Sequence, residues 1–412
     1  MRIGIFTDSY PPYINGVSTS IVMLQKALEK KGHQVFIVTV NDKDHSYKYE
    51  NENRIIRVPG IPTGIYDYRM TSIYPVRIVN KIKKWDLDII HSQTEFGIGT
   101  FARFIARQFN IPLVHTYHTL YEDYVHYITK GHFNKPSKKI AEYFTKFYCD
   151  KTATELIVPT KKIYNLFKDK YKYERNIHIV PTGIDTDRFH REKVRQEDVN
   201  NIKKQLGIQD GDFNILFVGR LGKEKSVDLL IETQYLLVKK YPFCKLIIIG
   251  DGPDAPHFEK MISKLKLSNN VKLVGKVPWD QIPKYYTLGS VFATASRTET
   301  QGLTVIEAMA SSLPVVAADD DSFKEIVVDD LNGYLFKNKK QYRKIIEDLI
   351  KDKDKTSYLG KQARISSENY SSDLFAERIL KVYKNTLKGR NMKSKTFFGR
   401  IKSVVKKGWH GK

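Results

Sequence analysis

A chain of 412 residues with 41% hydrophobic content is long enough for two domains with separate cores. Its formal net charge of +23 points to polyanionic partners: nucleic acid, an anionic membrane or phosphorylated ligands. Two distant cysteines, Cys149 and Cys244, exclude a disulfide framework and fit no metal-ligand spacing, and no run approaches the ~20 apolar residues of a membrane span.

Arg2–Phe6 reads as a buried parallel strand, because it is short, apolar and bounded by turn residues. It is too short for a signal peptide, so the expectation is a cytoplasmic location with peripheral membrane contact. The strand runs into TDSYPPYINGVSTS, and a helix is predicted from about Ser18 to Lys31, ended by Gly32. A second strand covers Gln34–Val40. Strand, glycine-bearing loop, helix, strand begins a doubly wound sheet, whose ligand crevice lies at the strand carboxyl ends. Gly16 is there either a tight turn or a point of close phosphate approach; no GxGxxG fingerprint is present.

Pro75–Trp85 predicts a helix with Pro at its first position. Ile78, Val79, Ile82 and Trp85 share one face, opposite Arg77, Lys81 and Lys84. The helix is either core-packed with solvated cations or a basic helix facing a membrane. Strands at Asp88–His91 and Leu113–His115 exit into HSQTEFGIG and HTYHTLYEDYVHY, bringing Glu95, His118, Glu122 and Asp123 to the crevice. His115 stays inside its strand. No HExxH-like spacing accompanies these groups, so no metal is expected. Residues 129–151 are basic and aromatic, suiting a solvated helix or a groove facing lipid headgroups. Strands Leu156–Pro159 and His178–Pro181 close this domain, the latter leading into PTGIDTDRF.

Residues 190–212 are polar, without a strand, and are expected to link the domains. Strand Asn214–Val218 then exits into GRLGKEKS, where Arg220 and Lys225 can neutralise a leaving diphosphate. Strands Lys245–Ile249, Val271–Val274, Val291–Ala293 and Pro314–Ala317 repeat the first half's pattern. ADDDS after the last is a turn rather than a metal-binding DxD. The stretch SRTETQGLTVIEAMASS (296–312) is a loop meeting a helix with Leu303, Ile306, Met309 and Ala310 on a buried face. The amides of Gly302, Leu303 and Thr304 open that helix and favour an anion. Glu299 and Glu307 flank them. Either two acids surround a phosphate seat and accept bonds from ligand hydroxyls, or this is a surface loop before an ordinary helix.

Beyond a helix at Ser372–Leu387 the chain is strongly basic: residues 388–412 hold nine Lys and Arg and no acid, leaving +14 of the +23 elsewhere. At helical spacing Phe397, Phe398, Ile401, Val404, Val405 and Trp409 fall within an arc of about 140°. That pattern is a basic amphipathic helix with an interfacial Trp, favouring an anionic phospholipid surface over a nucleic-acid arm.

GRLGKEKS, Gly275–Pro278, the Glu299–Glu307 run and PTGIDTDRF together resemble glycosyltransferase family 4. IFTDSYPPYINGVSTS, HSQTEFGIG, HTLYEDYVHY and SRTETQGLT are similar to its diacylglycerol-glucosylating branch. Two departures stand out. Ser226 replaces a common Gly, and Gln301 replaces a common aromatic residue, as is usual in that branch. The resemblance implies an α/β GT-B fold: two Rossmann-like domains facing a central cleft, plus the C-terminal amphipathic tail. The boundaries would be 1–189 (with 372–388 crossing back), a linker at 190–212, 213–371 for the nucleotide sugar, and 389–412 for the membrane. It further implies UDP-glucose as donor, diacylglycerol as acceptor, no cofactor or metal, no nucleic-acid partner, and a retained α-linkage; another lipid-linked or polysaccharide precursor is the alternative acceptor. Arg220 and Lys225 would bind the diphosphate, Glu299 the sugar hydroxyls and Glu307 the ribose. Gly302, Leu303, Thr304 and Gly16 would hold phosphate, and Val277 would lie at the base. His118 would lie beside the sugar, and Glu95, Tyr121 and Asp123 on the acceptor side. Phe397, Phe398, Ile401 and Trp409 would enter the membrane at its cytoplasmic face.

Overall fold

The structure is a computed structural model that describes residues 1–13, 15–62, 69–119, 145 and 153–389. Tyr121, Glu122 and Asp123, most of the basic 129–151 run, and the tail with Phe397, Phe398, Ile401 and Trp409 lie outside the described residues. The chain forms two compact units. Unit 1 holds Met1–Pro159, Ile163–Val180 and the chain from Asp373 onward; unit 2 holds Thr160–Lys162 and Pro181–Ser372.

The strands of unit 1 are β1 Arg2–Phe6, β2 Gln34–Val40, β3 Lys48–Glu50, β4 Ile55–Val58, β5 Gly60–Pro62, β6 Arg69–Thr71, β7 Ile89–Ser92, β8 Leu113–Thr116, β9 Glu155–Val158 and β10 Ile177–Ile179. Among the described residues they form an eight-stranded sheet, ordered β10-β9-β8-β7-β1-β2-β4-β3, and a β5-β6 pair. All neighbours in the large sheet are parallel except β3 and β4. β1 is central because its apolar run can be covered on both faces: Ile3, Ile5 and Phe6 are fully buried. Its exit loop meets a helix at Gly16–Lys30, two residues earlier than the spacing predicts. Asn15 is the reason: its side chain accepts from the Ser18 amide in a reciprocal capping box.

The helix Val76–Lys84 buries Ile78, Val79 and Ile82, as a core-packed helix should. Two of its cations are not simply solvated. Arg77 lies over the Tyr47 ring and Lys81 over that of Tyr49, 3.9 Å from the centroid. Residues 372–389 are helical, and Phe375, Ala376, Ile379 and Tyr383 join the unit 1 core with Ile21 and Leu24. Lys30 pairs with Asp373 and Lys31 with Glu377.

The strands of unit 2 are β11 Phe213–Val218, β12 Cys244–Ile249, β13 Val271–Gly275, β14 Val291–Thr294, β15 Val315–Ala318 and β16 Gly333–Phe336. They form one parallel sheet ordered β13-β12-β11-β14-β15-β16. Helix Val227–Val238 packs on β12, and helix Leu303–Ala310 packs against the helix Lys353–Ser367. The expected linker differs in two respects. Residues 181–189 belong to unit 2, and 190–212 contains the helix Gln196–Leu206, which buries Val199 and Ile202 in the unit 2 core. Its polar composition hides an amphipathic helix with three apolar anchors, Val199, Ile202 and the partly buried Leu206. Among the described residues no helix is long and apolar enough to cross a membrane.

Candidate active site

Unit 2 gathers its chemistry in the loops leaving the carboxyl ends of β11 to β15. The β11 exit, Gly219–Ser226, lies against the β12 exit. The Leu221 amide donates to the Asp251 carbonyl at 2.9 Å. Gly250 has φ +133°, and a Cβ there would sit 1.8 Å from the Gly219 carbonyl oxygen, so no side chain fits. This backbone contact sets where Arg220 and Lys225 emerge. Arg220 pairs with Glu224, whose side chain is buried. Ser226 has φ 49°, the left-handed region that favours Gly; a serine there costs about 1 kcal/mol of strain.

Lys225 reaches Glu299 on the β14 exit loop and pairs with its carboxylate. Burial alone would raise the Glu299 carboxyl. The Lys225 charge and hydrogen bond, aided by Ser296 and Lys162, instead hold it below the usual carboxylate range. Lys162 was not singled out in the sequence. Its Nζ donates to Asp320 at 2.8 Å and to the Glu299 carbonyl at 3.2 Å, while the Thr160 hydroxyl donates to the Thr300 carbonyl at 2.8 Å. The loop presenting Glu299 is thus held by a three-residue segment far away in sequence, where no motif marks it.

Gly302 follows with φ 82°; a Cβ there would meet the Phe323 ring at 2.5 Å. The helix starts at Leu303, and Val305 donates its first intrahelical bond to the Gly302 carbonyl at 3.0 Å. The amides of Leu303 and Thr304 therefore precede the helical ladder. One expectation is corrected: the helix is not apolar on one face only. Val305 to Ala310 are all buried, Glu307 among them, because the helix Lys353–Ser367 covers its outer side.

Glu307 is only 8% exposed and faces the Tyr286 hydroxyl at 2.8 Å from Oε2. Burial pushes its carboxyl up to about 7, against the opposing hydrogen bond of Tyr286 and charge of Arg188. Arg188 stacks on Trp279, 3.2 Å from the ring centroid, and donates to the Trp279 carbonyl. Val277 lies in the same loop and packs on the core. Gln301 is buried, accepting from the Thr182 amide at 2.8 Å and donating to the Thr182 carbonyl at 3.0 Å. An aromatic residue could not make that pair. Tyr286 lies in no sequence motif, and Arg188 lies in PTGIDTDRF without being singled out there.

Unit 1 gathers a second set at the exits of β1, β7 and β8. His118 Nε2 lies 2.6 Å from Gln93 Oε1, so that nitrogen carries the proton. Burial pushes His118 down to about 4 despite the nearby Glu95 carboxylate, making it a neutral ring at ordinary pH. Glu95 turns inward: it is 3% exposed and bonds His115 Nε2 at 3.1 Å. His115 is fully buried in β8, as its strand position implies. Asp8, which the sequence did not flag, accepts from the Thr94 hydroxyl and from the Ile98 amide at 2.9 Å. Gly16 is the first residue of its helix, behind the Asn15 cap.

Among the described residues no cluster of His, Cys, Asp or Glu has the makings of a metal site. The Asp run after β15 is engaged otherwise, Asp320 by Lys162 and Asp321 by Lys324.

Comparison with known proteins gives this arrangement a family. Residues 14–188 match the model described as Glycosyltransferase Family 4, and 198–366 that described as Glycosyl transferases group 1. An alpha-monoglucosyldiacylglycerol synthase of Acholeplasma laidlawii is 37% identical over 95% of this chain and 99% of its own length. One from Streptococcus pneumoniae is 35% identical over 95% of this chain and 87% of its own length. Among solved structures, the Anabaena protein HepE in complex with UDP aligns with a TM-score of 0.70 at 18% identity, covering 93% of this chain and all of that one. The sucrose-phosphate synthase of Thermosynechococcus elongatus aligns at 0.73 and 17%, covering 94% and 99%. The chain is therefore an enzyme of the GT-B fold and belongs to the glycosyltransferases of group 1 and family 4.

Proposed function

We propose that this enzyme transfers glucose from UDP-glucose to diacylglycerol, with retention at the anomeric carbon, at the cytoplasmic face of the membrane. The observation that carries the reading is the likeness to two alpha-monoglucosyldiacylglycerol synthases along 95% of the chain. The donor roles follow from chemistry. Arg220 and Lys225 bind the diphosphate, joined by the amides of Gly302, Leu303 and Thr304. Glu299 accepts from glucose hydroxyls and Glu307 from the ribose, with Val277 at the base. Gly16 contributes an amide to phosphate, and His118 lies beside the sugar. Glu95, Tyr121 and Asp123 serve the acceptor side, Glu95 indirectly through His115.

In the reaction the bond from the anomeric carbon to the diphosphate oxygen breaks as the bond to the acceptor hydroxyl oxygen forms on the same face. The acceptor's proton passes to the departing diphosphate. Arg220 and Lys225 offset the charge that develops on that oxygen, so the chemistry needs no metal, and most of the rate comes from positioning and electrostatics. The tail residues Phe397, Phe398, Ile401 and Trp409, with the basic residues around them, add an anchor to anionic phospholipid. Incubating the full chain with diacylglycerol vesicles and labelled UDP-glucose or UDP-galactose tests this. Accumulation of an α-glucosyl diacylglycerol from UDP-glucose is expected; sugar transfer to a different acceptor in preference to diacylglycerol overturns it.

A further inference from the structure

The Tyr286 hydroxyl faces two acceptors with a single hydrogen. Glu307 Oε2 lies 2.8 Å away and the Thr304 carbonyl oxygen 3.3 Å away. The ring is fully buried, so the hydroxyl cannot turn to solvent, and Glu307 is buried beside it. A phenol with one hydrogen bonds both neighbours at once only if the Glu307 carboxyl gives it a proton. When Glu307 is a carboxylic acid, it donates to the Tyr286 oxygen and Tyr286 donates to Thr304. When Glu307 is a carboxylate, Tyr286 turns its hydrogen to Glu307 instead.

We propose that Tyr286 is a positioning residue whose hydroxyl switches between Thr304 and Glu307, so that Glu307 holds a proton before the donor binds and releases it when ribose hydroxyls dock. The inference rests on the reading of Glu307 as the ribose acceptor. A carboxylate accepting from two ribose hydroxyls and from Tyr286 is well solvated by hydrogen bonds, whereas the bare carboxylate in the same buried place is not. Binding therefore supplies the bonds that ionisation requires.

Burial favours the protonated Glu307, and its charged neighbour opposes it. The turn Thr186–Phe189 contributes Arg188, which favours the anion and is itself engaged with Trp279 and influenced by Asp185 and Asp280. The short helix Ile282–Tyr286 contributes Tyr286. The helix Lys353–Ser367 contributes Ala363 to the same core, and β15 contributes Val315 and Ala317. With the carboxyl held at about 7, a donor with no titrating group of its own exposes the exchange. UDP-glucose is such a probe, because UDP's terminal phosphate itself titrates near neutrality.

The experiment is calorimetric titration of the full chain with UDP-glucose, without lipid, in buffers of differing ionisation enthalpy. About 0.9 proton should leave per UDP-glucose at about pH 6 and about 0.1 at about pH 8, with binding about tenfold weaker at the lower pH. Glu307→Gln should weaken binding and abolish the release. Tyr286→Phe should move the midpoint of release up by about one pH unit, since a bond to the carboxylate is stronger than one to the acid; lost packing alone would leave that midpoint in place. If UDP-glucose does not bind, or Glu307→Gln leaves affinity unchanged, the ribose assignment fails and the inference with it. If binding is normal and depends on Glu307, yet no proton leaves between pH 6 and 8 or Tyr286→Phe leaves the midpoint unmoved, the inference alone is overturned.

Discussion

Replacing Lys225 by Ala removes the cation that Glu299 faces. The side chains are 15% and 21% exposed, so the pair is largely desolvated but not sealed. Breaking a fully buried pair costs about 3–5 kcal/mol, and partial exposure brings this to about 2–3 kcal/mol. The catalytic loss is separate. A group that stabilises charge only in the transition state contributes about 2.7–4 kcal/mol, or roughly a hundred- to a thousandfold in turnover. Glu299 also changes sign in its pH behaviour. In the native protein its carboxyl lies below the ordinary value, so its contribution to stability is present above that value and is lost as pH falls through the depressed one. Without Lys225 burial prevails and the carboxyl rises, so the carboxylate costs stability at neutral pH. The assay is turnover of labelled UDP-glucose on diacylglycerol vesicles, with thermal melting from about pH 5 to pH 8. A fall of roughly a hundredfold or more is expected, with melting that improves as pH is lowered. Turnover within threefold of the native enzyme would refute the role of Lys225, and an unchanged melting profile would refute the electrostatic account of Glu299.

Gln301→Ala strands the Thr182 amide and carbonyl, at a cost of about 2–4 kcal/mol, or about 5–10 °C in the melting of unit 2; calorimetry checks it, and a shift below about 2 °C counts against the pairing. Gln93→Glu places a carboxylate on His118 Nε2, raising the ring above its value of about 4 and moving the acid limb of kcat/KM to higher pH; an unmoved limb means His118 need not be neutral. A chain ending at Leu387 loses nine cations, each worth about 1 kcal/mol at an anionic surface before discounting. Roughly hundredfold weaker flotation with anionic vesicles is expected, and unchanged binding rules out the tail as the anchor.

Much of this was written in local pattern. β1, β2 and β12 are apolar runs that could only be interior strands, and Arg220, Lys225 and Glu299 stand where strand exits converge. Position 226 has a left-handed φ that favours glycine, and the serine here tolerates it. What local pattern concealed is tertiary. Glu95 looks available in HSQTEFGIG, yet its partner is His115, on the next strand. Lys162 is one lysine in KKIYN until the fold brings it to Asp320 and the Glu299 carbonyl. The helix Gln196–Leu206 has three anchoring side chains in eleven residues, too few to stand out in a charged stretch.

Thr160–Lys162 belong to unit 2 although the chain on either side belongs to unit 1. This bears on recombination between relatives. A chimera joined at 180/181 and 372/373 takes Arg220, Lys225, Glu299 and Glu307 from one parent but inherits Thr160 and Lys162 from the other. If that parent lacks these two side chains, the Glu299 loop loses its clamp while every residue of the donor motif remains in place. Such a hybrid would keep its sequence signature and lose its activity, so a third crossover block of three residues is the unit of exchange that this fold demands.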